Sequence, residues 1–214
     1  MITKILTAFQ QGGFWMWPIL FISFAGFALM AERIRYLSLA SAVRKEEFLN
    51  QLNQLVLQEN LKQYISPGSL KSTPLTKIVR AGLMAIASRK SVDEVQTAMD
   101  AIALREIPKI EKRTSLLAML ANMATLMGLL GTTIGMIGAF GAVSKVAASE
   151  KAAVLAGEIS MAMNCTAFGL LVAIPLLGAY GWLTTRGTEI VDDVHEAAVA
   201  TLNFIISNRD KFAR

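Results

Sequence analysis

Charge is scarce in this sequence. Asp, Glu, Lys and Arg make up 17% of the 214 residues, against about 25% in an ordinary soluble domain. Three stretches, 5–31, 114–144 and 159–185, contain none at all. Cysteine is nearly missing: Cys165 stands alone, so no disulfide can close within the chain, and nothing around it has metal-ligand spacing. The one histidine, His195, sits in a polar helical stretch and reads as a solvated surface residue. GxxxxGK followed by Ser or Thr does not occur, which argues against ATP as a driver. Serine, histidine and acids are present in no catalytic spacing, so the expectation is a protein that is not an enzyme and takes no metal or cofactor.

What remains is apolar: 54% of the chain, with a mean hydropathy of +0.48. The three uncharged stretches are each long enough to span a membrane, which takes about 20 residues. The first has its apolar heart at 14–31, with Trp15 and Trp17 at an interface. FWMWPILF opens it and ERIRYL follows it, in place of a cleavage site, so it reads as a retained span. The second, as a helix, would be about 46 Å long, more than a hydrocarbon core of about 30 Å. It should tilt or project.

Basic residues near the span ends set the orientation. Arg33, Arg35, Arg44 and Lys45 follow the first span; Arg105, Lys109, Lys112 and Arg113 precede the second. The 145–158 hairpin carries Lys145 and Lys151 offset by Glu150 and Glu158. The expected order is a periplasmic start and first span over 1–31, a cytoplasmic helical region over 32–113, a span over 114–144, and a periplasmic hairpin over 145–158. A third span over 159–185 and a cytoplasmic C-terminal helix over 186–214 complete it. The fold class expected is therefore all-α and membrane-integral, with long cytoplasmic helical extensions. The net charge of +5 fits contact with lipid headgroups and calls for no nucleic acid.

Within the cytoplasmic region, residues 43–65 place Phe48, Leu52, Leu55 and Val56 on one helical face, and Pro67-Gly68 with Pro74 break it. A helix restarts at PLTKIVRAGLMAIASRK, and Ser91 with Glu94 forms a capping box for the next. After the third span, Ile190, Val191, Val194, Ala198, Leu202 and Ile205 repeat at helical spacing, so that span should continue as one long helix.

Glycine costs a helix about 1 kcal/mol relative to alanine, yet TLMGLLGTTIGMIGAF, in the second span, has four. With their neighbours they form a stripe: Ala121, Ala124, Gly128, Gly131, Gly135, Gly138 and Ala142, alternately three and four residues apart. In lipid the hydrophobic effect does not join helices, and small residues let backbones approach. The stripe therefore predicts close packing against another transmembrane helix, in this chain or in a neighbouring subunit. Thr125, Thr132 and Ala139 lie one residue further on, about 100° around. In the third span Ala162, Thr166, Gly169 and Ala173 make a matching row. A membrane threonine often bonds only to its own helix; the sharper alternative is that Thr132 and Thr166 line a narrow passage.

GLLGTTIGMIGAF (128–140) with ISMAMNCTAFGLLVAIP (159–175) resembles the paired signature of the MotA/TolQ/ExbB proton-channel family, and GGFWMWPILF followed by ERIRYL resembles the start of ExbB-type members. The resemblance implies an oligomer of this subunit, pentameric by analogy, in the bacterial inner membrane. It implies a one-span partner of the ExbD/TolR type bearing a membrane aspartate, a TonB/TolA-like protein as a further partner, and work driven by the proton-motive force. Thr132 and Thr166 fall on the family's pore-facing threonines. The glutamate often found five residues before the span-three threonine is here Met161; the nearest acid is Glu158. A fourth span, expected of MotA-type subunits, is missing. Spans two and three hold no Asp, Glu, His, Lys or Arg, so any proton pathway needs a carboxylate brought by a partner. ExbB-like, TolQ-like and gliding-motor roles stay open, as does a non-conducting scaffold in which the threonines serve packing alone.

Overall fold

The computed structural model describes residues 13–41 and 73–207. The helix expected over 43–65, the break before Thr73, the basic residues Arg44 and Lys45, and residues 1–12 and 208–214 lie outside them. Every described element is an α-helix: α1 (Met16–Ala40), α2 (Pro74–Ala87), α3 (Val92–Glu111), α4 (Thr114–Val143) and α5 (Lys151–Ser207). Among the described residues three helical stretches are long and apolar enough to cross a membrane: α1, the α3–α4 stretch and α5. The chain divides into two compact units, the first with described residues 13–33 and 113–182, the second with 34–41, 73–112 and 183–207.

In the first unit, Gly13 adopts a left-handed φ of 69° and the chain turns into α1. Met16, Ile19 and Ile22 are buried along one face of α1, while Trp17, Phe21 and Phe24 are exposed on another and Phe14 is exposed just before it. A helix that shows its largest apolar side chains outward suits hydrocarbon, not water. α4 begins after Arg113, a non-glycine residue at φ 66°. Its guanidinium lies 2.7 Å from the Glu32 carboxylate near the end of α1.

The second unit has a conventional core. Ile78, Val79 and Leu83 of α2 join Val95 and Met99 of α3 and Val194, Ala197 and Ile205 of α5. Each large apolar side chain so buried contributes about 1.5–3 kcal/mol. Local signals start both short helices. Thr73 caps α2, its hydroxyl accepting from the Thr76 amide, with Pro74 in the first turn where no N–H is needed. Ser91 and Glu94 cap α3 reciprocally. One charge is nearly enclosed: the Glu106 carboxylate accepts from Lys77 Nζ at 3.0 Å and Lys109 Nζ at 2.7 Å. Burial alone would raise its pKa, but the hydrogen bonds from Lys109 and Lys77 outweigh it and hold the carboxyl below its ordinary range.

α5 runs unbroken for 57 residues. The expected hairpin reached to residue 158, whereas the helix begins at Lys151. KAAVLAGE holds alanines and leucine of high helix propensity, which outweigh its one glycine. At the other end Ile190, Val194 and Ile205 of the expected stripe are buried and Val191, Ala198 and Leu202 half-buried, while Ala197 and Thr201 beside them are buried and His195 is exposed.

Candidate functional site

α4 and α5 meet along their small residues, and the pairs show the helices antiparallel. Moving along α4 toward its C-terminal end, Gly128 faces Thr166 and Gly169, Gly131 faces Cys165, Gly135 faces Ala162, and Gly138 faces Glu158. The approach leaves no room for a side chain. A Cβ at Gly131 would lie 2.8 Å from Cys165 Cβ, and one at Gly169 would lie 2.7 Å from the Ala124 carbonyl oxygen. Of the seven stripe residues, Ala121, Ala124, Gly128 and Gly131 are buried; Gly135 and Ala142 are half-buried and Gly138 is exposed. Past Gly135 the buried line shifts to Ala139, on the neighbouring threonine row.

Thr132 and Thr166 come together at this contact. Their hydroxyls are hydrogen-bonded to each other across the two helices. Thr132 also reaches the Gly128 carbonyl of its own helix at 3.1 Å and the Ala162 carbonyl of α5 at 3.2 Å. Thr166 donates to the same Gly128 carbonyl at 3.0 Å. Both hydroxyls thus reach the Gly128 carbonyl, and Thr132 alone also reaches that of Ala162, one turn before Thr166. The short approach permitted by Gly128 makes the exchange possible. Both threonines are half-buried, so the pair is accessible from one side.

Cross-helix sharing was not anticipated from the threonines one by one. The signal was present: Gly128 and Ala162 each stand four residues before a threonine, so each helix offers a hydroxyl and a carbonyl one turn away.

Thr125 stands apart, donating to its own helix at Ala121 O, 3.2 Å away. Glu158 lies eight residues from Thr166, about 12 Å along α5 and about 80° around it. Its carboxylate is half-buried, 3.9 Å from where a Gly138 Cβ would be. A cavity of about 440 Å³ adjoins it, lined by Ala153, Val154, Gly157, Ser160 and Met161 as well as Glu158. The Met161 thioether lies 3.5 Å from the Cβ position of Gly13, beside the start of α1. The position where a family glutamate often stands is thus an apolar contact.

The hydroxyl pair can hold a water or present two oxygens to a protonated carboxyl group. It cannot itself release a proton near neutral pH, and no charged side chain lies within 114–144 or 159–185.

No curated protein matches the chain. The model of the MotA/TolQ/ExbB proton channel family matches residues 70–196, more than half of the sequence, and includes α4, the hydroxyl pair and most of α5; the chain belongs to this membrane-protein family.

Proposed function

We propose that this chain is an inner-membrane proton-channel and stator subunit which, in an oligomeric ring, works with a one-span ExbD/TolR-like partner to turn proton-motive force into mechanical work on the cell envelope. The ExbB-like task, energising transport at the outer membrane, is the reading adopted within the family. The observation that carries the proposal is the Thr132–Thr166 pair: two hydroxyls joined across α4 and α5 at one level, on a wall otherwise made of glycine and alanine.

The chemistry follows from what that wall offers. A carboxylic acid carried by the partner can be held by hydroxyl oxygens when protonated and by hydroxyl protons when ionised. Each change of protonation then alters the contact between partner helix and wall. Proton passage is thereby coupled to relative helix motion. Glu158 stands at the outer mouth, two turns from the pair, where a carboxylate concentrates protons without belonging to the narrow section. The topology that goes with this places 32–113 and the C-terminal helix in the cytoplasm, as the eight basic residues at the adjoining span ends favour.

A second reading rests on the same bonds. Thr132 reaches its own helix carbonyl and Thr166 donates to a carbonyl of α4, as they would if the hydroxyls only fastened the helices of a non-conducting scaffold. Affinity purification from detergent separates the two. Recovery of a short one-span protein with a membrane aspartate supports the channel; recovery of the chain alone from cells with intact envelope energisation supports the scaffold.

A further inference from the structure

The chain enters α1 beside the α4–α5 seam. Gly13, just before the helix, lies against Met161 of α5. Trp15 lies against Gly131 of α4, its Cβ 3.4 Å from where a Gly131 Cβ would be. Cys165 of α5 meets Gly131 at the same point, its Sγ 3.1 Å from that Cβ position. Gly131 and Cys165 each directly precede a threonine of the hydroxyl pair. At about 100° per residue, the glycine and the thiol hold one side of the seam and the two hydroxyls the other. Burial follows that division: Cys165 is 2% exposed, while Thr132 and Thr166 are half-buried. The side on which Trp15 stands is the covered one.

Space for water lies close to that covered side. The described residues lining the cavity beside Glu158 run along α5 from Ala153 to Met161. Cys165 comes one turn later, about 6 Å further along the helix. A cavity of about 440 Å³ with Glu158 and Ser160 in its lining has both the room and the polar partners that water needs. The contacts of Gly13 with Met161 and of Trp15 with Gly131 therefore follow one line, from the end of the cavity to the thiol. The Trp15 side chain is half-buried, and its ring meets that of Phe14 edge-on at 5.8 Å. Trp17, by contrast, is 62% exposed.

We propose that Trp15 is the stopper between this cavity and the seam: a positioning residue that keeps water off the Gly131–Cys165 side, so that the hydroxyl pair is reached from its open face alone. A tryptophan covers about 150–250 Å², and alanine in its place leaves a gap that the glycines and alanines of the seam cannot fill. The role deepens the channel reading and rests on it. A pair wetted from both sides would let protons pass around a partner's carboxylate in place of through it.

The test uses the full chain in native membranes, where Cys165 is its only thiol, and reads the rate at which a small water-soluble maleimide labels that thiol. Trp15→Ala should raise the rate about tenfold or more, because the thiol gains contact with water. Trp15→Phe, which keeps an aromatic ring, should stay close to the parental rate. Two controls lose comparable groups elsewhere on α1. Trp17→Ala removes the neighbouring exposed tryptophan, and Ile22→Ala empties a site 6% exposed, two turns from Trp15; neither should speed labelling. The proposal is overturned if Trp15→Ala labels at the parental rate, or if either control speeds labelling as much. Should Trp15→Ala be poorly recovered, Trp15→Leu is read by the same two results. Labelling requires neither proton flux nor the partner, so its failure and a failure of the channel reading are separate outcomes.

Discussion

In the second unit α2 and α3 meet through Ile78, Leu83, Val95 and Met99, each 3% exposed or less. In the membrane unit α4 and α5 meet through Gly128, Gly131, Gly135, Ala162 and Gly169, and the large side chains Leu126, Ile137, Phe140 and Ile174 face outward. The solvent explains the inversion. Water rewards hiding leucine, so a core of large residues holds the second unit. Lipid is as apolar as leucine and gives no such reward, so the membrane unit gains by closeness: backbone contact, dispersion and hydroxyl–carbonyl bonds. A water-type core can be recognised by volume. A lipid-type seam is recognised by what has been removed from it.

The sharpest break between the regions should come from deleting a leucine. Leu83→Ala empties a site 2% exposed and should destabilise the second unit by about 2–5 kcal/mol. Leu126→Ala, 63% exposed on α4, should cost less than about 1 kcal/mol. Chemical unfolding of the full chain in detergent, followed by proteolysis of each unit, measures both. Equal losses would erase the distinction.

Adding one methyl group should invert that ranking, though less strongly. At Gly169 a Cβ meets the backbone oxygen of Ala124 at 2.7 Å, so the helices must part. At Gly82 it meets the Met99 sulfur at 2.6 Å, the movable end of a flexible chain. Gly169→Ala should cost about 1–3 kcal/mol. Gly82→Ala should be near neutral, as Met99 swings aside and alanine favours the helix. Thermal unfolding of the two variants under one detergent condition decides it.

Electrostatics matters most in the second unit. Glu106→Gln removes a nearly buried carboxylate from two half-exposed lysines, and with solvent screening should cost about 1 kcal/mol at neutral pH. Because the folded carboxyl has a lowered pKa, its contribution is complete above the unfolded value, about 4.3. It fades as pH falls through the folded value. Wild-type and variant stabilities should therefore converge below about pH 4. A difference that persists unchanged at acid pH would refute the ionic explanation. The smallest effect is expected at Glu32, whose pairing with Arg113 leaves both side chains about half exposed; Glu32→Gln should shift stability by less than about 0.5 kcal/mol.

The same contrast explains what could be read in advance. Three apolar helices were legible because 27 or more uncharged residues in a row leave little else possible. Ser91 and Glu94 gave the start of α3, and the 190–205 stripe gave the continuation of α5, because caps and apolar periods act within a few residues. The glycine stripe announced a close contact but not its partner, since smallness on one helix says nothing of who fills the space; the row with Ala162, Thr166 and Gly169 was legible on the third span but not its pairing with the stripe, and Cys165 entered only with the fold. The start of α5 at Lys151 was missed because charges near the interface mark where a span must end, not where a helix must begin. Most hidden was the sharing of the Gly128 carbonyl by two threonines 34 residues apart, which requires the register of two helices.

The Thr132–Thr166 pair is the center of this reading, and Val and Ser at those positions test it. Valine keeps the branched shape and deletes the hydroxyl; serine keeps the hydroxyl. The measurement is proton flux through the proposed ring, co-purified with the proposed one-span partner and reconstituted in vesicles, with ring yield read beside it. Thr132→Val and Thr166→Val should assemble at the parental yield and lose about tenfold or more in flux, the equivalent of one hydrogen bond of about 1.4 kcal/mol, and Thr132→Ser and Thr166→Ser should restore it. Parental flux through normally assembled valine rings would contradict the account and leave the pair as a fastening between two helices.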